Sequence, residues 1–233
     1  MSNTNPSKPS IPDLWADYLH LKQRPEHLQP RLLVIENASA CYKERLVFSN
    51  LSLTLYGDDR IALMGPSGSG KSTLLKLIAG LIKPSSGKVS GQAPVAMVFD
   101  SDALYPMLSC FENIELGVNW SKVHKKERQE LVKYWADVFE CTEFLNQKAR
   151  TLSAGQRKRA ALARAMIKDP QILLLDETFH ALDPSLRKHL QSRILELQKI
   201  HHFALVFATH HIDEARQLDA QVLMMRPNDF KSI

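Results

Sequence analysis

Residues Gly65–Thr73 read GPSGSGKST and have the residue types and spacing of a phosphate-binding loop. Small residues let several backbone N–H groups converge on a phosphate, and the helix that follows adds the positive end of its dipole. Lys71 would reach the β- and γ-phosphates, and the Ser72 hydroxyl would hold Mg²⁺. The alternative is a glycine-serine turn between two core elements. The residues expected to line the phosphates are Gly65, Pro66, Ser67, Gly68, Ser69, Gly70, Lys71, Ser72 and Thr73.

Two adjacent carboxylates, Asp176 and Glu177, follow the apolar run Ile172–Leu175. A carboxylate at the end of a buried strand can orient the waters around Mg²⁺, which makes Asp176 a candidate metal ligand. Glu177 could polarise an attacking water as general base. His210 follows the apolar run 203–208 and could bond a terminal phosphate. Alone, the carboxylates would be a solvated strand end and the histidine an ordinary core residue.

Strands and helices that alternate along the chain would carry these residues. Apolar runs predict strands, and apolar residues at three- and four-residue steps predict helices. The predicted strands cover residues 32–35, 51–55, 60–64, 95–99, 172–175, 203–208 and 222–225. The predicted helices cover 74–79, 124–140 and 154–168, with one more after Pro184. The alternation predicts an α/β fold with a mainly parallel sheet, and the stretch 101–167 predicts a helical insertion.

Composition limits the classes of protein that the chain can represent. Its 233 residues, 44% of them hydrophobic, suit one large α/β domain or two small ones. The net charge of +5 is scattered, and no basic–aromatic pattern indicates nucleic-acid binding. Three cysteines without metal spacing favour reduced thiols in the cytosol, and no apolar run has the length of a membrane span.

The N-terminal residues 1–30 differ from the rest, because five prolines interrupt them. We expect residues 1–10 to be disordered and 13–21 to form a short helix. That helix would cover apolar surface of the domain, although docking to a partner is an alternative. The domain itself is expected to occupy residues 31–233.

Further motifs follow in a fixed order. Residues 152–156 read LSAGQ, 172–177 read ILLLDE, 181–183 read ALD and 208–210 read ATH. With the phosphate loop, this order resembles the nucleotide-binding subunits of ATP-binding-cassette (ABC) transporters over about residues 32–225. The first motif resembles the family signature L-S-G-G-Q, with Ala154 at the first glycine. The resemblance implies a P-loop NTPase (RecA-like) fold with an antiparallel β subdomain and a helical insertion.

The resemblance also implies that the chain binds ATP with Mg²⁺ and hydrolyses it. The residues implied to act on the γ-phosphate are Glu177, His210 and Lys71, and those implied to face Mg²⁺ are Ser72, Asp176 and Asp100. Tyr42 would stack on adenine. Ser153, Gly155 and Gln156, together with Asp183, would contact the ATP held by a second copy in a head-to-tail dimer. Ser153 is also a candidate for an ordinary N-cap.

Two segments resemble importer ATPases of the nitrate, sulfonate and taurine class. Residues 177–183 read ETFHALD against E-P-F-S-A-L-D, and 97–106 read MVFDSDALYP against M-V-F-Q-x-x-A-L-Y-P. This implies a subunit at the inner face of the cell membrane that powers integral permease subunits, with an extracytoplasmic solute-binding protein as a further candidate partner. Leu104, Tyr105 and Met107 would receive the permease, or else pack within the helical insertion.

The chain departs from the family pattern at several positions. Asp100 stands where the family has glutamine, so it offers no amide donor and would repel phosphate. We expect a lower hydrolysis rate, or weaker coupling, than glutamine would give. His180, Thr178 and His211 also replace the usual residues. His180 would lie near the dimer interface and could make closure sensitive to pH.

Three other functions stay open from the sequence. A soluble ABC ATPase could act on nucleic acid or in cluster assembly, but a second cassette or a coiled-coil insertion is not visible. A small-molecule kinase could use the same phosphate loop without needing the LSAGQ motif. A degenerate cassette could bind ATP as a structural regulator. Asp100 favours this alternative, whereas Glu177 and His210 oppose it.

Overall fold

The computed structural model describes residues 30–226 except 43, 44, 119, 121, 122 and 181, and without the side chains of Tyr42 and Arg45. The expectations for residues 1–29, the stacking role of Tyr42 and the position of Ala181 therefore lie outside the described part. The strands are β1 (Arg31–Tyr42), β2 (Arg45–Tyr56), β3 (Arg60–Met64), β4 (Ser86–Ser90), β5 (Val95–Val98), β6 (Ile172–Asp176), β7 (Ala204–Thr209) and β8 (Gln221–Met224). The helices are α1 (Lys71–Ile78), α2 (Cys110–Glu115), α3 (Lys125–Val138), α4 (Ala154–Met166), α5 (Pro184–His201) and α6 (Ile212–Gln217).

Five parallel strands form the central sheet in the order β5-β6-β7-β3-β8. All residues of β6 and β7 are buried, as expected of strands covered on both faces. Alternate residues point to opposite faces, so Leu173 and Leu175 join one core cluster and Ile172 and Leu174 the other. Since the strands are parallel, their carboxyl ends meet at one edge, where β3 leads to the phosphate loop, β6 to Glu177 and β7 to His210. The predicted α/β class is confirmed.

A second sheet of three antiparallel strands, in the order β2-β1-β4, packs with α1 against one face of the central sheet. Strand β4 was not predicted, since its residues SGKVS are mostly exposed and polar. A partner strand, β1, makes this segment a strand in spite of its composition.

The segment between β5 and β6 contains α2, α3 and α4 and two short 3₁₀ turns, with no strand among its described residues. Trp135 is fully buried in its core and packs on Phe139 at 6.3 Å between ring centroids. Helix α2 was not predicted, although Ser109 and Glu112 form a capping box at its start. That Ser-x-x-Glu spacing is a sequence signal that marks a helix start.

Candidate active site

The phosphate-binding loop begins where β3 ends, and three of its glycines have positive φ: Gly65, Gly68 and Gly70. Gly65 has φ +150°, and a Cβ there would lie 2.1 Å from the carbonyl oxygen of Met225. Gly70 caps α1 at φ 95° without a side chain to bond the N–H groups of the first helical turn. These N–H groups, at the positive end of the helix dipole, suit phosphate oxygens. Exposed at the loop tip are Pro66, Ser67 and Gly68; buried at its base are Ser69, Gly70 and Lys71; half-buried are Ser72 and Thr73.

The Lys71 ammonium is held inside the loop, with its side chain only 5% exposed. Its Nζ donates to the carbonyl oxygens of Gly65 at 2.9 Å and Pro66 at 3.2 Å. Burial lowers the pKa of Lys71, while the negative charges of Glu177 and Asp176 act against that shift. The two carbonyls and two carboxylates therefore keep a positive charge beside the loop.

The hydroxyl of Ser72 joins the loop to the end of β6. Its Oγ donates to Oδ1 of Asp176 at 2.9 Å. Burial raises the pKa of Asp176, the bond from Ser72 opposes this, and the charges of Glu177 and Asp100 raise the pKa further. Asp100 thus lies within electrostatic range of Asp176, although it is itself exposed. The charges of Glu177 and Asp100 therefore both act on the Asp176 carboxylate, and a cation would relieve this repulsion.

Glu177 and His210, from neighbouring strands, form a hydrogen-bonded pair. Nε2 of His210 lies 2.8 Å from Oε1 of Glu177 and 3.3 Å from Nζ of Lys71. Glu177 has φ 44°, in the left-handed region. Such a conformation costs a non-glycine residue about 1–3 kcal/mol and is concentrated at functional sites. The three residues implied to act on a γ-phosphate therefore lie together.

The donor set fits Mg²⁺. Among the described residues no cluster of three or more His, Cys, Asp or Glu side chains is arranged to hold a metal ion. Mg²⁺ needs no such cluster, since it keeps several waters and uses one or two protein oxygens together with phosphate oxygens. The Ser72 hydroxyl and the buried Asp176 carboxylate would supply these protein oxygens, and a cation would favour the charged form of Asp176.

The signature residues lie at the start of α4. Ser153 is the N-cap: its Oγ accepts from the Gln156 N–H at 3.2 Å, and its own N–H donates to Oε1 of Gln156 at 2.8 Å. A Cβ on Gly155 would approach Leu186 of α5 to 2.8 Å. Within the described residues no hydrogen bond joins these side chains to the phosphate loop. These polar side chains are therefore used within α4 itself, at its capping box.

Asp183 is the N-cap of α5. Its Oδ1 accepts from the N–H groups of Ser185 at 3.1 Å and Leu186 at 2.9 Å. The aspartate of the ALD motif therefore has a structural role within one chain, and its contact with a second copy stays a prediction.

Several contacts beside the site were not predicted from the sequence. His180 and His211 stack with 5.8 Å between ring centroids, which links the segment after β6 to the segment after β7. Thr209 donates to Oε2 of the buried Glu214 at 2.6 Å. In the sequence, the two histidines stood out only because they depart from the family pattern. Their contact could not be predicted, because it depends on the pairing of β6 with β7.

Every helix in the described part of the chain is too short or too polar to cross a lipid bilayer. A family model described as ABC transporter matches residues 48–180. Nitrate transport protein NasD of Klebsiella oxytoca is 36% identical over 203 residues, which cover 82% of this chain and 78% of NasD. Spermidine/putrescine import ATP-binding protein PotA of Mannheimia succiniciproducens is 31% identical over 86% of this chain, which spans only 57% of PotA.

The fold is similar to a solved dimeric ATP-binding cassette in a post-hydrolysis state with ADP and Pi. The TM-score is 0.78 and the identity 27%, over 84% of this chain and 96% of the cassette. The motif resemblance and the predicted P-loop NTPase fold are thereby confirmed. The chain belongs to the ABC transporter family, as an ATP-binding and ATP-hydrolysing subunit of the kind that powers importers.

Proposed function

We propose that two copies of this chain clamp Mg·ATP between them and use its hydrolysis to drive a membrane importer of a small solute. The observation that carries the proposal is the convergence of Lys71, Ser72, Asp176, Glu177 and His210 at one edge of the sheet. These groups come from three strand ends, and together they provide charge, a hydroxyl and a candidate base around one phosphate position.

Each residue has a distinct role in the proposal. The loop N–H groups and Lys71 bind and orient the phosphates. The Glu177 carboxylate accepts a proton from the attacking water, and His210 orients this carboxylate and bonds the γ-phosphate. Bound Mg²⁺, held by Ser72 and Asp176 with Asp100 facing it, would offset charge on the phosphate oxygens. Phosphoryl transfer needs little covalent chemistry from the protein, so positioning of these groups accounts for most of the catalysis.

A second copy would complete the site. The N-terminal end of α4, with Ser153 and Gly155, suits an anion. Within the described residues no hydrogen bond joins it to the phosphate loop of its own chain, and we propose that it meets nucleotide bound by a partner. A two-fold arrangement would use this surface twice and give two equivalent sites. The likeness to a dimeric cassette supports this arrangement.

The membrane partner and the cargo follow by analogy with relatives. NasD is named for nitrate transport and PotA for spermidine/putrescine import, so small polar solutes are the class of cargo that we propose. Permease subunits would supply the pathway, and this chain would lie at the inner membrane face. Tyr105 and Met107, each more than half exposed, are the proposed contacts for the permease.

The test replaces Glu177 with glutamine, which keeps the shape of the side chain and removes the base. We expect hydrolysis to fall by about 10²–10⁴-fold. ATP and Mg²⁺ should then hold a dimer detectable by light scattering, whereas ADP should not. The exposed Glu130→Gln, on α3, is the matched control and should behave as the wild type. If Glu177→Gln stays monomeric with ATP in the presence of its permease, the clamp mechanism is wrong.

A further inference from the structure

The segment after β5 that carries Asp100 is fastened to the signature helix α4 through a buried carboxylate. The Asp102 side chain is 9% exposed and that of Lys158 5% exposed, with 2.7 Å between Oδ1 and Nζ. Nε of Arg157 lies 3.3 Å from Oδ2 of the same carboxylate. Two consecutive residues of α4 therefore hold the two oxygens of Asp102.

The backbone of the same segment is also bound to α4. Lys158 Nζ donates to the carbonyl oxygens of Phe99 at 3.1 Å and Asp100 at 2.6 Å. Arg164 donates to the carbonyls of Asp102 at 3.0 Å and Ala103 at 2.7 Å. Both Asp102 and Ala103 have positive φ, 61° and 48°. Two consecutive left-handed residues are unfavourable by themselves, so the contacts with α4 maintain this turn.

The contacts of Asp102 and Lys158 lie between the phosphate site and the signature residues. Asp100 lies within electrostatic range of Asp176 at the phosphate site. Lys158 lies five residues after Ser153, about 7.5 Å along the helix axis. A buried charge resists separation from its partner, because the lone charge would be left in a poor solvent. The bonds from Lys158 therefore tie the backbone of Asp100 to α4.

We infer that Asp102 is a positioning residue for hydrolysis: with Lys158 it locks Asp100 to the signature helix, so that the two move as one body. Engagement of the signature by a second copy then sets the distance of Asp100 from Asp176. This inference rests on the proposed function of the signature and extends it to residues outside the family motifs.

The experiment compares Lys158→Met with Arg159→Met in the full chain. Met keeps much of the volume of lysine but cannot bind the two carbonyls or Asp102. Arg159 is the matched control, because it follows on the same helix and pairs with Glu140 at 3.5 Å. Among the described residues it has no hydrogen bond or ion pair with residues 99–103. Each variant is made with Asp100 and with Asp100→Ala, and kcat, KM and the thermal midpoint are measured.

We expect Lys158→Met to lower kcat about tenfold with little change in KM, and to lose this effect when Asp100 is already alanine. Arg159→Met should change kcat equally in both backgrounds. An equal loss from Lys158→Met in both backgrounds would show a purely structural role and overturn the inference. If Lys158→Met does not fold, Asp102→Asn replaces it, because Lys158 then keeps its bonds to the Phe99 and Asp100 carbonyls. Asp102→Asn should also lower kcat with Asp100 present and have no effect on kcat in the Asp100→Ala background.

Hydrogen exchange tests the attachment of residues 99–103 to α4 without an ATPase assay. Lys158→Met should increase exchange in residues 99–103, whereas Arg159→Met should leave it unchanged. Unchanged exchange in Lys158→Met would overturn the inference even if the proposed function stands. If the wild-type chain did not hydrolyse ATP, the proposed function would be contradicted instead. The exchange of residues 99–103 would still show whether Lys158 holds this segment to α4.

Discussion

Nε2 of His210 lies 2.8 Å from Oε1 of Glu177, although the two residues are 33 positions apart in the sequence. The same nitrogen lies 3.3 Å from Lys71 Nζ. Adjacent parallel strands, β6 and β7, bring the carboxylate and the imidazole to the same edge. The pair therefore depends on the pairing of these two strands.

His210→Ala should remove the imidazole that pairs with Glu177 and that we propose bonds the γ-phosphate. We expect ATP hydrolysis to fall about a hundredfold, while the affinity for ATP changes little. The control is His189→Ala, an exposed histidine on α5 that pairs with Glu140. Steady-state kinetics and equilibrium nucleotide binding check the prediction, and a parallel loss in the two variants would contradict it.

Asp100→Gln should increase hydrolysis in the full assembly about fivefold. Glutamine removes one of the charges that crowd Asp176 and supplies an amide donor. Asp100→Ala separates these effects, since it removes the charge without supplying an amide donor. A lower rate for Asp100→Gln would contradict the interpretation of this residue.

Ser72→Ala should weaken the response to Mg²⁺, because it removes the hydroxyl that bonds Asp176 at 2.9 Å. We expect the Mg²⁺ concentration for half-maximal hydrolysis to rise about tenfold. Ser72→Thr keeps a hydroxyl at the same place and should stay close to the wild type. An identical Mg²⁺ titration for alanine and threonine would exclude a metal-binding role.

Gly65→Ala should destabilise the fold more than Gly68→Ala does. A Cβ at position 65 would lie 2.1 Å from the Met225 carbonyl oxygen, whereas one at position 68 meets nothing within 4 Å. Both positions have positive φ, so both variants lose about 1–2 kcal/mol of unfolding free energy from the backbone. Position 65 should lose at least about 2 kcal/mol more, because the backbone must move. Urea unfolding measures the difference, and equal midpoints would contradict it.

The three cysteines should differ in their reaction with a thiol reagent. Cys41 is exposed, whereas Cys110 and Cys141 are buried. The hydrogen bond with Cys110, together with burial, raises the pKa of Cys141, so its unreactive neutral thiol persists as the pH rises through mildly alkaline values. We expect one rapid reaction per folded chain and three after denaturation. Rapid reaction of the Cys141 thiol in the folded chain at neutral pH would contradict the burial of this residue.

Much of the fold followed from local patterns, and the exceptions have local causes. The continuous apolar runs that became β3, β6 and β7 were recognisable because both faces of these strands are buried. Helix α3 was predicted at 124–140 and spans Lys125–Val138. Strand β4 was missed because it is exposed and depends on pairing with β1.

The sequence by itself determined the chemistry: a phosphate loop, two carboxylates after a buried strand and a histidine after another. These motifs are local, and each needs only its own strand, turn or helix to be recognised. The tertiary structure alone decided which side chains share a contact, such as Ser72 with Asp176 and Asp102 with Lys158. The physical reason is that strand order and helix packing set distances between residues far apart in the chain, and no local pattern encodes them.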